Sequence, residues 1–274
     1  MIGYIESSSF PVYTYGEMML LSSPVPPVGY YYIWWRPSDI SGTFIDHSST
    51  LRLEDYSGFY SGLGSGTDRS AFKGNSDITI IETNVTYLAY STFNNCINLS
   101  RAILHNCTQL GERTFEGCTK LEYVSAPLVK GNSDDGIFMS CYALSRIELP
   151  ECDYLWDNTF RYCSALNYVS IPKCASIYDY CFCGCINLER LYLPVCNRIS
   201  HGAFSGCTKL SEVILGYSSV VYLERYSVGG DTTFQGTLIE ARQGGIYVPS
   251  SLVTDYKYES RWSSLSDVIY PINN

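Results

Sequence analysis

The sequence predicts a repeat solenoid, a coil of short parallel strands stacked around one continuous core, and three observations predict it. Phe recurs at Phe93, Phe115, Phe138, Phe160, Phe182 and Phe204, at spacings of 22, 23, 22, 22 and 22, with a weaker earlier member at Phe72. Three residues after each of the six strong Phe sits a Cys: Cys96, Cys118, Cys141, Cys163, Cys185 and Cys207. Three further on sits Leu, at Leu99, Leu121, Leu144, Leu166, Leu188 and Leu210, leading into an alternating apolar pair such as Ile147 and Leu149. Self-similarity at a fixed period of this length is the mark of stacked repeats.

Residues 1–71 precede the repeat and hold no Cys. Tyr30 to Trp35, Thr43 to Ile45 and Leu51 to Leu53 are β-prone runs bounded by Gly, Pro, Ser and Asp, which predicts a small β-rich unit, with Leu63 to Gly66 as a loop. That unit is expected either to shield the first coil or to act as a ligand module of its own, using Trp34, Trp35 and the Tyr run.

Residues 72–240 then form about seven units of about 22 residues. Alternation over a few residues makes a short half-buried strand, and a Pro at Pro127, Pro150, Pro172 or Pro194 stops it by removing a donor. An inward residue at Leu110, Leu155, Ile177 or Ile199, and then the next Phe, complete the coil's apolar face. One coil cannot cover its own apolar edge, so neighbours must stack at about the 4.8 Å spacing of paired strands. Residues 241–274, with Ile246 to Pro249, a polar helix-like stretch around Trp262 and then Val268 to Pro271, are expected to form a small α/β C-terminal cap.

Read from the Leu, three units give L-x-x-[IVL]-x-[LI]-x-x-C, as in Leu144, Ile147, Leu149 and Cys152, the strand signature of leucine-rich repeats. The whole unit resembles the bacterial BspA-like, or Treponema-type, leucine-rich repeats over roughly Phe72 to Leu215. The resemblance implies a right-handed leucine-rich-repeat coil and an association with bacterial surface proteins and adhesion. It implies no ligand, because function lives in sites placed on a fold.

Twelve Cys suggest disulfides or metal, yet the register argues against both. Cys107, Cys152, Cys174 and Cys196 share a column in which Val129 fills the equivalent slot, so that column is apolar. In-register β-carbons on stacked strands lie near 5 Å apart, whereas a disulfide wants roughly 3.8 Å. Within Cys181-Phe182-Cys183-Gly184-Cys185, Cys181 takes a small-residue slot beside the Phe, and Cys183 aligns with Asn94, Glu116, Met139, Arg161 and Ser205, a mix that predicts an exposed thiol. The run lacks the second ligand pair of a structural zinc site, so neither metal nor cofactor is predicted.

On a short strand the residues between buried ones look outward. Eight residues after each Phe stand Arg101, Tyr123, Arg146, Tyr168, Arg190 and Glu212; ten after stand Ile103, Ser125, Glu148, Ser170, Tyr192 and Ile214. Guanidinium planes alternating with phenol rings can stack as cation–π pairs worth roughly 0.5–1 kcal/mol each when exposed. The stripe either binds a protein or glycan through Arg101, Tyr123, Arg146, Tyr168, Arg190 and Tyr192, or only stabilises the sheet.

Composition narrows the function classes. A net charge of −9 and no basic run longer than two leave no phosphate-neutralising footprint, so nucleic acid is not an expected partner. No segment approaches the roughly 20 continuous apolar residues of a membrane span. No export signal is readable, since the first Lys or Arg is Arg36. No catalytic residues are predicted. Asp46-His47-Ser48 are chain neighbours and cannot be a triad, Glu54-Asp55 reads as solubilising charge, and His105 and His201 show no matched partner. The expectation is a non-enzymatic binding or adhesion module, at the cell surface or secreted, contacting a host or bacterial surface protein or glycan. The rival is a structural component of a virion or cell envelope.

Overall fold

The computed structural model describes residues 72–131, 135–224 and 233–272, together with the backbone of four strands nearer the N-terminus. Each repeat folds into one coil carrying a strand on a principal face, and most of the described coils carry a shorter strand on a second face. On the principal face Ile80–Thr83, Arg101–Leu104, Tyr123–Ser125, Arg146–Glu148 and Tyr168–Ser170 pair in parallel, one coil to the next. The register is the repeat itself, with Arg101 opposite Tyr123, Tyr123 opposite Arg146 and Arg146 opposite Tyr168. A second sheet then carries the face onward through Arg190–Leu193, Glu212–Leu215, Gly245–Val248 and Ile269–Pro271. On the second face Tyr154–Leu155, Ser176–Ile177, Arg198–Ile199 and Tyr222–Leu223 form a parallel ladder of their own.

Upstream, Thr50–Leu53 pairs in parallel with Ile80–Thr83, so the principal sheet begins before the first repeat, and Thr43–Ile45 adds an antiparallel edge. Ile2–Glu6, which the sequence pattern does not single out, pairs antiparallel with Tyr30–Trp34. Trp35, the Leu63 to Gly66 segment, Asp46-His47-Ser48 and Glu54-Asp55 lie outside the described residues, as does the side chain of Trp34.

The six marked Phe are wholly buried and their rings form one stack. Phe72 joins it at 5.3 Å from Phe93, the next four steps are 5.6, 5.5, 5.4 and 5.3 Å, and Phe182 lies 5.7 Å from Phe204. The stack does not stop there. Phe234 lies 5.4 Å from Phe204, making eight stacked rings where about seven units were expected. The extra coil escapes the sequence pattern because 30 residues separate Phe204 from Phe234 and no Cys follows three residues later. Trp262 then rests against Phe234 at 6.3 Å, its Nε1 donating to the Val221 carbonyl, while the Tyr256 hydroxyl accepts from the Val221 N–H. Tyr256 belongs to the short helix Val253–Tyr258, which follows Gly245–Val248.

The thiols explain why this column is Cys rather than Ala or Val. Each donates to the carbonyl of the Phe in the preceding coil, from Cys96 to Phe72 at 3.0 Å through Cys207 to Phe182 at 3.0 Å. The four steps between are all 3.1 Å. Cys is thus a small apolar filler that also gives the Phe carbonyl, which already accepts the Cys N–H of its own coil, a second donor from the next coil, which an alkyl group cannot do. In the other column Cys107, Cys152, Cys174 and Cys196 donate to the carbonyl two residues ahead. All twelve Cys are free and eleven are buried. Cys183, expected to be exposed, is half-buried, because Arg161 of the preceding coil packs beside it.

The corner holding each Phe turns tightly by placing two residues per coil in the left-handed region, two before and two after the ring. Ser91, Arg113, Asn158 and Tyr180 take the first position, and Asn95, Ser140 and Tyr162 the second, with glycines elsewhere. At Gly184 the glycine is needed twice over: φ is +77°, and a β-carbon would lie 2.6 Å from Cδ1 of Tyr162. Gly184→Ala is therefore expected to cost about 1–3 kcal/mol, read as a lower denaturant midpoint. Gly206→Ala, where φ is +73° but no atom comes nearer than 3.6 Å, should cost less.

Burial pushes the thiols of Cys96, Cys107, Cys152, Cys196 and Cys207 from the ordinary 9.0 up to about 12. The folded value is the higher one, so their contribution is intact below pH 9 and lost as pH rises from 9 towards 12. The melting temperature should fall steeply above pH 9, and Cys152→Val should make that fall shallower while leaving the fold intact. A thiol reagent at neutral pH should modify Cys183 first and the other eleven only on unfolding.

Candidate functional site

The principal face presents the expected columns to solvent. Arg101, Arg146 and Arg190 are exposed, as are Tyr123, Tyr168 and Tyr192, the last at 55%. The side chains between them, Ala102, Val124, Ile147, Leu191 and Val213, are buried, so alternation along each strand sets which residues face outward.

The stripe is paired rather than evenly interleaved. The Arg101 guanidinium lies over the Tyr123 ring at 5.5 Å, and that of Arg146 over Tyr168 at 3.7 Å. Each Tyr is thus covered by the Arg of the coil before it. Arg190 instead pairs with the carboxylate of Glu212, and Arg146 also pairs with Glu148 two residues along its own strand. The sheet itself parts between Tyr168–Ser170 and Arg190–Leu193, which belong to two separate sheets. Val169, at the parting, is only half-buried where its counterparts in the other coils are buried.

Among the described residues, two shallow clefts open on this face. The first, of about 250 Å³, is lined by Tyr123, Ser125, Pro127, Arg146, Glu148 and Pro150, with backbone of the same strand. The second, of about 320 Å³, lies at the parting and is lined by Asn167, Tyr168, Ser170, Pro172, Arg190 and Tyr192, again with the intervening strand residues. In both, a small Ser sits beside the Tyr where neighbouring coils carry Ile103, Glu148 or Tyr192. That alternation was the sequence signal for the clefts, and the column reading passed over it.

The second face carries a cluster that sequence columns did not suggest. Trp156 stacks on Tyr178 at 4.5 Å, and Tyr154 meets Trp156 edge-on at 5.9 Å. Gly131 is glycine because a β-carbon there would meet the Tyr154 ring at 2.3 Å. Arg198 lies between Tyr178 and Tyr222 and donates to Glu224 at 2.7 Å. Burial works to raise the Glu224 carboxyl, but the Ser200 hydroxyl and Arg198 outweigh it and hold the group below its usual range. Asp157 moves the other way, raised first by burial, although it accepts the Asp179 N–H at 2.9 Å. Asp179 accepts the His201 N–H in turn at 3.1 Å. These carboxylates tie one coil to the next.

His105 and His201 each have a neighbour, in neither case a nucleophile. His105 Nε2 lies 3.3 Å from Glu82, and His201 meets Tyr180 edge-on at 5.4 Å. Among the described residues no group of His, Cys, Asp and Glu is arranged to hold a metal ion, and no helix is long and apolar enough to cross a membrane.

Residues 67–153 and 131–228 match the family described as BspA type leucine rich repeat region, in 6 copies. No curated protein sequence matches the chain. Among solved structures, a leucine-rich repeat protein from Bacteroides ovatus aligns with 74% of the chain and 56% of its own length, at 22% identity and a TM-score of 0.53, which shows a shared fold. A leucine rich cell surface protein from Faecalibacterium prausnitzii aligns with 65% of the chain and 53% of its own length, at 22% identity and a TM-score of 0.49. The leucine-rich repeat protein of T. pallidum aligns with 67% of the chain and 82% of its own length, at 19% identity and a TM-score of 0.44. The chain thus spans little more than half the length of the first two.

Proposed function

Since the chain belongs to the BspA-type leucine-rich-repeat family, we propose that it is a non-enzymatic binding module of a bacterial surface or secreted protein, and that its ligand docks on the principal face. The observation that carries this reading is the stripe of exposed rings and guanidiniums from Arg101 to Tyr192, held at one-coil spacing across the two sheets of the principal face, over inner side chains that are buried except at Val169. Rings and guanidiniums fixed on a rigid base bind with little loss of side-chain freedom, and Tyr and Arg are the residues that dominate binding energy at interfaces. The F. prausnitzii protein is named as a cell surface protein, in keeping with this location.

In the same reading residues 72–240 are scaffold and contact face. Residues 1–71 and 241–274 shield the ends of the apolar stack, and Trp34 and Trp35 are the residues through which the N-terminal unit would add to binding. Arrays of glycans and of host matrix and bacterial surface proteins are the direct test. The double variant Arg146→Ala, Tyr168→Ala is expected to weaken the captured ligand about tenfold or more while shifting the melting temperature by only a few degrees, because exposed cation–π pairs are worth roughly 0.5–1 kcal/mol in stability. Unchanged affinity with unchanged melting would end the reading.

A further inference from the structure

The principal face repeats every second coil rather than every coil, and its two clefts occupy equivalent places in that longer period. Tyr123-Val124-Ser125-Ala126-Pro127 and Tyr168-Val169-Ser170-Ile171-Pro172 are the same motif 45 residues apart, each facing an Arg in the following coil. On the flank of the same coils, four residues after each Phe, large exposed side chains at Ile97, Tyr142 and Ile186 alternate with Thr119, Ser164 and Thr208. From this we propose that the face binds a neutral, linear, β-1,4-linked polysaccharide, with every second sugar ring seated in a cleft. The proposal rests on the binding reading above and specifies its ligand.

Size sets the unit. Clefts of about 250 and 320 Å³ lie on either side of the roughly 300 Å³ lower end of small-molecule pockets, so each takes one ring rather than an oligomer. Spacing sets the period. Two coils separate the clefts by about 10 Å, twice the strand spacing. In an extended β-1,4-linked chain alternate rings are turned over, so the same face of the sugar returns only at every second ring, as the same cleft returns only at every second coil.

The lining sets the chemistry. Tyr123 and Tyr168 are each covered by the preceding Arg, and each cleft opens toward the coil that follows. A phenol ring offers its face to the C–H side of a pyranose, while the Ser hydroxyl and the next guanidinium offer hydrogen bonds to its ring hydroxyls. Charge excludes an acidic polymer as the favoured ligand: Arg146 is neutralised by Glu148 and Arg190 by Glu212, leaving little net attraction for an anion. A polyproline II peptide also repeats, at about 9 Å per three residues, but brings no hydroxyls to meet Ser125 and Ser170.

The test is calorimetric titration of the whole chain with neutral β-1,4-linked glucose, mannose and N-acetylglucosamine oligomers of two, four and six rings, and with decaproline. At least one sugar series should bind, and affinity should rise about tenfold or more from two rings to four, because the second cleft is then filled within the same complex. Tyr123→Ala and Tyr168→Ala should each erase that gain and leave two-ring binding at the remaining cleft, with circular dichroism unchanged. Absence of binding in all three series, affinity independent of length, or binding of decaproline instead would overturn the proposal. If some other captured ligand is still lost in Arg146→Ala, Tyr168→Ala, the face remains a binding surface and only the polysaccharide falls; if none is, both readings fall.

Discussion

Everything in this molecule depends on keeping successive coils in register, and the register is enforced in the corner that holds the Phe ring. Each Phe stacks on its neighbour at 5.3 to 5.7 Å while its N–H bonds to the next coil, from Phe93 to Thr114 onward. Its carbonyl accepts a thiol from the same direction, as Phe93 does from Cys118. A ring displaced along the stack would lose its two apolar contacts and both hydrogen bonds that cross between coils, its own N–H bond and the thiol that its carbonyl accepts beside the Cys N–H of its own coil. Burial favours stacking at any register, but these inter-coil bonds favour one, each hydrogen bond contributing about 0.5–1.5 kcal/mol. The column of Cys is therefore a registration device, and its redox chemistry is suppressed by the same burial that raises its pKa values.

Close turning at that corner has a conformational cost. Seven of the left-handed residues there are not glycine, among them Arg113, Tyr162 and Tyr180, and each is held against a preference of about 1–2 kcal/mol. They persist because neighbouring coils fix the corner from both sides: Tyr162 packs under Gly184, and Tyr180 under Gly202. Each bulky Tyr in these columns is followed by a glycine in the next coil, Gly184 after Tyr162 and Gly202 after Tyr180, because a β-carbon there would collide with the Tyr ring. The strain is balanced by contacts with the next coil, so stability is a property of the stack rather than of one repeat.

How much of this was legible follows from what repeats and what does not. The buried columns read directly from spacing, since a residue that must point inward at every coil leaves a mark at every coil; Phe93 to Phe204 and Cys96 to Cys207 are of that kind. Phe234 was hidden because an insertion moved it by eight residues relative to the 22-residue spacing, although its ring sits in the same stack. The exposed Arg and Tyr columns were legible as positions but not as pairs. Which Tyr an Arg covers depends on side-chain direction and on competing carboxylates, so Arg190 turns to Glu212 where alternation suggested another ring. The contacts of Trp156 with Tyr178 and of Arg198 with Glu224 lie on or just after strands of two residues, too short for periodicity to announce them.

The parting of the principal sheet at Tyr168 connects register to surface. The Phe stack and thiol bonds run straight through this point, from Phe160 to Phe182 and from Cys185 back to Phe160. The second ladder also continues, from Tyr154 through Ser176 to Arg198. With two of the three sides held, the third can open without loosening the core. The opening half-exposes Val169, and the cleft there is larger than the first, with Tyr192 and Arg190 in its lining. A fold with only one ladder could not separate these tasks. Here the corner and second face carry the register, which leaves the outward residues of the principal face free to vary coil by coil, and a period of two coils can be written on a scaffold whose own period is one.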